Sequence, residues 1–191
     1  IKSYQIVFSS SVSGLSRGAQ VTFNGLRVGE VTKIELVPND PGKVAAIAAG
    51  RSPIVEQGLP DLIAAMVEAG RLRATTDAQR AVRESEASFV CVGTPSAADE
   101  SIGLDQVRAV SEAIGRAVAG HPGFHSVVMR STIVPGTMGG VCIPILEAAS
   151  GRVAGQDFGV GYYPEFLRES TAIRDYLDPG LIVFGALDAA T

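Results

Sequence analysis

The 191-residue chain has a formal charge of −4, with Lys and Arg scattered rather than clustered, which argues against nucleic acid or an anionic membrane surface as a partner. Its 46% apolar content can fill one sizeable core or two small ones, which excludes a disordered chain. No apolar run is long enough to span a bilayer and no signal peptide is visible, while a start at Ile1 leads us to expect a piece of something longer. Two cysteines, Cys91 and Cys142, suit packing in a reduced compartment, and with only His121 and His125 beside them no zinc-ligand spacing arises.

In chain order, Tyr4, Ile6 and Phe8 alternate with polar neighbours, and Val31 to Val37 alternates less cleanly, so both predict strands. Between them Asn24-Gly25 is a strong short hairpin signal. Val7-Phe8, Gly14-Leu15, Gly18-Ala19, Asn24-Gly25-Leu26 and Val28-Gly29, over about residues 4 to 37, resemble the opening half of an MCE domain. That resemblance implies a β-barrel of the lipid-carrying bacterial envelope type. Half a barrel would leave its strand edges open.

The style changes at Asp40-Pro41-Gly42-Lys43, where Pro41 suits a first helical turn and Val44, Ile47 and Ala48 form an apolar stripe. Leu59 to Ala69 predicts a second helix closed by Gly70, Arg71 to Thr75 a short strand, and Thr76 or Asp77 a cap for a helix through Val82. Phe89 to Val92, ending in Gly93-Thr94-Pro95, reads as a strand buried on both faces with a ligand-type turn at its carboxyl end. Leu104 to Ala119 has helical periodicity, and Ser126 to Arg130 is the next strand, ended by Ser131-Thr132. The loop histidines His121 and His125 are expected to be solvated or incidental rather than catalytic. Pro135-Gly136-Thr137 should start one helix running to about Ala149, Phe158 to Tyr162 and Leu181 to Phe184 are further strands, and Pro164 should open a helical turn carrying Glu165 and Glu169 on one face.

Strand and helix therefore alternate from Lys43 onward. We expect an α/β fold: an incomplete, doubly wound (Rossmann-like) parallel sheet over residues 41–191, preceded by a short β-rich segment over 1–40. Either Tyr4 to Phe8 and Val31 to Val37 stand in for the first two strands, or the sheet is left short with a loosely attached front.

Five separated motifs say more: Gly50-Arg51-Ser52-Pro53-Ile54-Val55-Glu56, Thr75-Thr76-Asp77, Val90 to Pro95, Arg130-Ser131-Thr132 with Pro135-Gly136-Thr137, and Pro164-Glu165-Phe166-Leu167-Arg168-Glu169-Ser170. Together they resemble the nucleotide-sugar 6-dehydrogenases, the GDP-mannose-oxidising kind before the UDP-glucose-oxidising kind. The resemblance implies NAD as cofactor, a nucleotide sugar as substrate, and oxidation of a primary alcohol to a carboxylate through a cysteine thioester. It implies that Lys43, Thr94 and Ser131 lie near NAD, that Thr132 and Glu169 handle the hydrolytic water with Glu169 also close to NAD, and that Glu165 edges the sugar site. A carboxylate and a hydroxyl within reach of one water are what thioester hydrolysis needs. The setting implied is the bacterial cytoplasm, with homo-oligomerisation open.

Departures from the pattern count too. Tyr163 stands where that family usually has Asn before Pro-Glu-Phe-Leu. No Gly-x-Gly-x-x-Gly occurs in the chain, and Pro38 takes the place of the ribose-binding acid, so a weakened NAD site is expected. The family's nucleophilic cysteine and its helper lysine and asparagine are expected beyond Thr191, so the leading expectation is an NAD-binding portion inactive alone. The rivals are an MCE-type lipid-transport module of the envelope and a remnant with no ligand.

Overall fold

The computed structural model describes residues 4–8, 20–23, 26–36, 40–95, 102–188 and 191. The chain divides into two units, residues 1–77 with 166–182, and residues 78–165 with 183–191.

In the first unit, β1 (Tyr4–Phe8) and β3 (Leu26–Leu36) pair in parallel, with Ile6 opposite Ile34. The start of β3 also pairs antiparallel with β2 (Gln20–Phe23), Phe23 facing Leu26; the Asn24-Gly25 hairpin signal itself lies outside the described residues. The end of β3 pairs in parallel with β4 (Leu72–Ala74) on its other side. This gives the parallel order β4-β3-β1, so β1 and β3 occupy the places of a first and second strand. Among the described residues the front strands enter a parallel ladder that continues past residue 40. They do not form a closed barrel.

Two helices accompany β4. Helix α1 (Pro41–Ala48) starts where Asp40 accepts hydrogen bonds from the Gly42 amide at 2.8 Å and the Lys43 amide at 3.4 Å, and it buries Ile47. Helix α2 (Leu59–Glu68) buries Leu59 and Ile63, and Gly70 follows it in the left-handed region at φ +66°, the conformation that makes glycine the favoured helix stop. Helix α6 (Ala172–Leu177) is the last element of this unit.

The second unit is a sheet in the order β5-β6-β7-β8. Strands β5 (Ala87–Val90), β6 (Ser126–Met129) and β7 (Gly159–Tyr162) are parallel, and the two-residue β8 (Gly185–Ala186) closes antiparallel on β7. Helices α3 (Ala78–Arg83), α4 (Asp105–Ala119) and α5 (Ile143–Ser150) belong to the same unit. Its core joins Val107, Ile114 and Val118 of α4 to Val90, Val127, Met129 and Val160 of the strands, with Leu146 and fully buried Phe158. The apolar spacing of α4 decides which face is turned inward.

Four expectations about elements are corrected. Strand β5 runs from Ala87 to Val90, so Cys91 to Pro95 lie past its end and Cys91 is half-buried; the ladder stops at Val90 opposite Met129. The helix expected from Pro135 begins as a π-turn, Met138–Cys142, before α5, because Pro144 has no N–H to give to the preceding turn. The segment from Tyr163 to Arg168 is irregular, so Glu165 and Glu169 do not share a helical face; the helix starts only at Ala172. Residues 181–184 are exposed and unpaired as a strand, and the strand is Gly185–Ala186, whose register is set opposite Tyr162 and Gly161.

Candidate cofactor and water-handling residues

Ligands of a parallel sheet gather beyond the carboxyl ends of its strands. In the second unit those ends are tied to one another. The amides of Arg130 and Ser131 both donate to the Val90 carbonyl, at 2.8 and 3.0 Å, and the Ser131 hydroxyl donates to the Val92 carbonyl at 2.7 Å. A serine hydroxyl has one proton to give, so toward a ligand Ser131 is left as an acceptor. Ser131 is buried, Thr94 is half-buried two residues past the carbonyl that Ser131 holds, and Thr132 is exposed.

The structure thus brings Ser131 against the Val92-Gly93-Thr94 turn, as expected of groups at neighbouring strand ends. Gly93 is exposed, and among the described residues a methyl group built on it would first meet the Gln106 side-chain tip, at an ordinary 3.6 Å from its oxygen. The backbone of this turn can therefore be approached closely.

Tyr163 closes the same edge. Its amide donates to the Met129 carbonyl at 2.8 Å, and its ring is met by the Arg130 guanidinium at 4.5 Å and by the edges of Phe89 and Phe184, with ring centres 6.4 and 6.1 Å away. Glu165 follows two residues later and is exposed.

In the first unit, Lys43 is exposed in the first turn of α1. Glu169 is exposed in a turn that is held from two sides. The Glu56 carboxylate accepts from the Ser170 amide at 2.9 Å and the Ala172 amide at 3.1 Å, across more than a hundred residues of sequence. Asp175 receives both the Nε and Nη2 groups of Arg168, at 3.0 and 2.7 Å, together with the Arg168 amide and the Thr171 hydroxyl. The Arg168 guanidinium holds the Asp175 carboxyl well below the usual carboxylate range, and Asp175 in turn raises Arg168. Between these anchors Ser170 has φ +67°.

Neither Glu56 nor Asp175 was singled out from the sequence as a functional group. Glu56 belonged to a quoted motif, but nothing local shows that its partners are Ser170 and Ala172.

The histidines correct one of the two alternatives expected for them, solvation. His121 and His125 are buried, not solvated. His125 Nε2 lies 2.8 Å from the Ser88 hydroxyl and its Nδ1 2.9 Å from the Ser85 carbonyl, which His121 Nε2 also approaches at 2.9 Å. His121 Nδ1 lies 3.1 Å from the Gly123 amide and 3.0 Å from the Gly123 carbonyl, so this ring is tied to its own loop as well as to Ser85. Desolvation pushes His125 down to about 4, so it is neutral at ordinary pH and serves the core. Buried Cys142 has its thiol pushed up by desolvation, the opposite of what a nucleophile needs.

Among the described residues no group of three His, Cys, Asp or Glu side chains could hold a metal ion, and no helix is long and apolar enough to cross a membrane.

The sequence profile of the UDP-glucose/GDP-mannose dehydrogenase family, NAD binding domain, matches residues 23–191. The chain belongs to this family. Its fold is α/β and Rossmann-like, like that of the solved relatives. GDP-mannose 6-dehydrogenase of Pseudomonas putida is 49% identical over 149 residues, 78% of this chain and 34% of that protein. UDP-glucose 6-dehydrogenase of Haloferax volcanii is 40% identical over 147 residues, 77% of this chain and 34% of that protein. The crystal structure of a ternary complex of GDP-mannose dehydrogenase from Pseudomonas aeruginosa superposes with a TM-score of 0.82 at 46% identity, over 83% of this chain and 36% of that one. The UDP-glucose dehydrogenase of Pyrobaculum islandicum gives a TM-score of 0.81 at 30% identity, over 99% of this chain and 42% of its own.

The chain thus spans about a third of the length of the curated dehydrogenases it matches and corresponds to their NAD-binding portion. The family match begins at residue 23, so it takes in β3, part of the segment that resembled a lipid-carrying barrel.

Proposed function

We propose that this chain is the cofactor-binding part of a nucleotide-sugar 6-dehydrogenase whose sugar substrate is GDP-mannose. The observation that carries the choice of sugar is the identity of about half of the matched residues with GDP-mannose 6-dehydrogenases, against 40% with a UDP-glucose enzyme. The donors and acceptors at the strand ends fit NAD in part. The open backbone at Gly93 and the acceptor left on Ser131 suit an amide- and hydroxyl-bearing ligand, with Thr94 beside them. Lys43, exposed at the start of α1 in the other unit, offers a cation by residue type alone. The glycine-rich turn that would seat the pyrophosphate on a helix N-terminus has no counterpart in the sequence, so the affinity should be low.

When bound, NAD would accept hydride from the substrate. The chain's own residues would bind and orient: Thr132 offers a hydroxyl and Glu169 a carboxylate to the water that hydrolyses the thioester, and Glu165 borders the sugar. Support comes from residue type, since one group orients the water and the other takes its proton. Cys142, buried and with a raised pKa, does not serve as the thiol, so the chain by itself should form no NADH. The lipid-transport reading draws no support from β3 pairing in parallel with both β1 and β4.

Thermal unfolding with NAD, GDP-mannose and UDP-glucose tests the proposal. A ligand at ten times its dissociation constant adds about 1.4 kcal/mol of stability, enough to raise the melting temperature measurably. NAD should stabilise at millimolar concentration, and GDP-mannose should stabilise more than UDP-glucose. No shift with NAD at millimolar concentration would overturn the cofactor assignment, and a larger shift with UDP-glucose would overturn the sugar assignment.

A further inference from the structure

We infer that Glu56 is the positioning residue for Glu169: a carboxylate brought from the connection between α1 and α2 that latches the turn on which Glu169 sits. The inference rests on the proposed role of Glu169 in cofactor and water handling, and it adds the residue that fixes that group in place.

The geometry leads there directly. Ser170, next to Glu169, is held at φ +67°, a region in which the Cβ of a non-glycine residue crowds the backbone. It is the only non-glycine residue with positive φ among the described residues. Such a conformation persists only where its surroundings over-determine it, and strain of this kind collects at functional turns. Glu56 supplies the constraint. One oxygen takes the Ser170 amide and the other the Ala172 amide, so a single planar carboxylate fixes two backbone positions at once.

Asp175 anchors the residues on either side of Glu169 through the Arg168 amide and guanidinium and through the Thr171 hydroxyl. A turn that served only to connect Tyr163 to α6 would need neither anchor, because exposed turn amides are satisfied by water. Within residues 168–172 Glu169 supplies the one carboxylate, and it is exposed. The latch therefore determines where a reactive group stands rather than which core is packed.

A positioning role predicts effects that a stabilising role does not. In Glu56→Ala the Ser170 amide loses its acceptor, and the residue should relax out of the left-handed region. The three-bond HN–Hα coupling of Ser170 in isotopically labelled protein reads this directly. NAD affinity, measured by calorimetry well below the melting temperature, should fall about tenfold, the scale of one lost charge-assisted hydrogen bond. Glu169→Ala should show a similar loss, and the double variant little more than either single one, because both act on one group. Glu56→Gln keeps one acceptor oxygen and should restore part of the affinity; should Glu56→Ala fail to fold, the coupling and the affinity of Glu56→Gln decide instead.

An unchanged Ser170 coupling in the Glu56 variants would overturn the inference, as would an affinity loss in Glu169→Ala with none in Glu56→Ala. A changed coupling with NAD affinity untouched in both single variants would uphold the latch and overturn the proposed closeness of Glu169 to NAD, so the two failures are told apart.

Discussion

The guanidinium of Arg130 lies 4.5 Å from the centre of the Tyr163 ring, stacked on a residue that stands where the resemblance leads one to expect asparagine. Phe89 and Phe184 approach the same ring edge-on. The departure thus comes with its own packing, which joins the ends of β5, β6 and β7 to the segment leading into β8. Replacing Tyr163→Asn removes one cation–π contact and two aromatic pairs and should cost about 1–2 kcal/mol. Urea unfolding measures it, and a neutral or stabilising result would show that the cluster contributes nothing.

The burial of His125 makes stability depend on pH. His125 is held neutral, with its value lowered from 6.5 to about 4 by burial. Its unfolded form takes up a proton near 6.5, before the folded form does, so stability is complete above that point and falls as the pH drops from about 6.5 to about 4. The loss should approach about 3 kcal/mol, from the size of the displacement. Unfolding free energies across that window, beside those of His125→Asn, test this: the variant should begin less stable at neutral pH and lack most of the slope.

Gly115 on α4 is a contact point with α5. A methyl group placed there would sit 2.7 Å from Cβ of Ala149 and 3.0 Å from the Leu146 carbonyl oxygen. Alanine usually stabilises a helix interior, by up to about 1 kcal/mol. Here the clash with a neighbouring helix should win, and Gly115→Ala should destabilise by about 1–3 kcal/mol in chemical denaturation. A gain in stability would mean that the two helices separate at little cost.

Ser170 offers the reverse case. Glycine reaches φ +67° without the Cβ penalty but also widens the unfolded ensemble, so Ser170→Gly should stabilise by no more than about 1 kcal/mol. It should also reduce the stability lost on Glu56→Ala, since the latch then has less strain to hold. A thermodynamic cycle on the two positions measures that coupling.

Local chemistry was enough for the elements. Pro41 behind Asp40 starts α1, Gly70 stops α2, and the spacing of Val107, Ile114 and Val118 turns α4 inward. Five motifs in order carried the family as well, because each is a short run whose residue types are tied to a turn or a strand end. The same local reading failed where an apolar or charged pattern had no packing partner in view. Leu181 to Phe184 is apolar yet unpaired, Glu165 and Glu169 have helical spacing without a helix, and Pro144 turns the first part of a helix into a π-turn.

Sequence by itself therefore determined the class of fold, the strand-end residues Thr94, Ser131 and Thr132, and the kinship with dinucleotide-binding dehydrogenases. Tertiary structure alone decided that β1 and β3 pair in parallel, that two loop histidines are buried over the Ser85 carbonyl, and that Glu56 reaches Ser170. The physical reason is separation along the chain. Caps, turns and periodicity act between residues a few positions apart, whereas a carboxylate closing on amides more than a hundred residues away is specified only once the chain has folded.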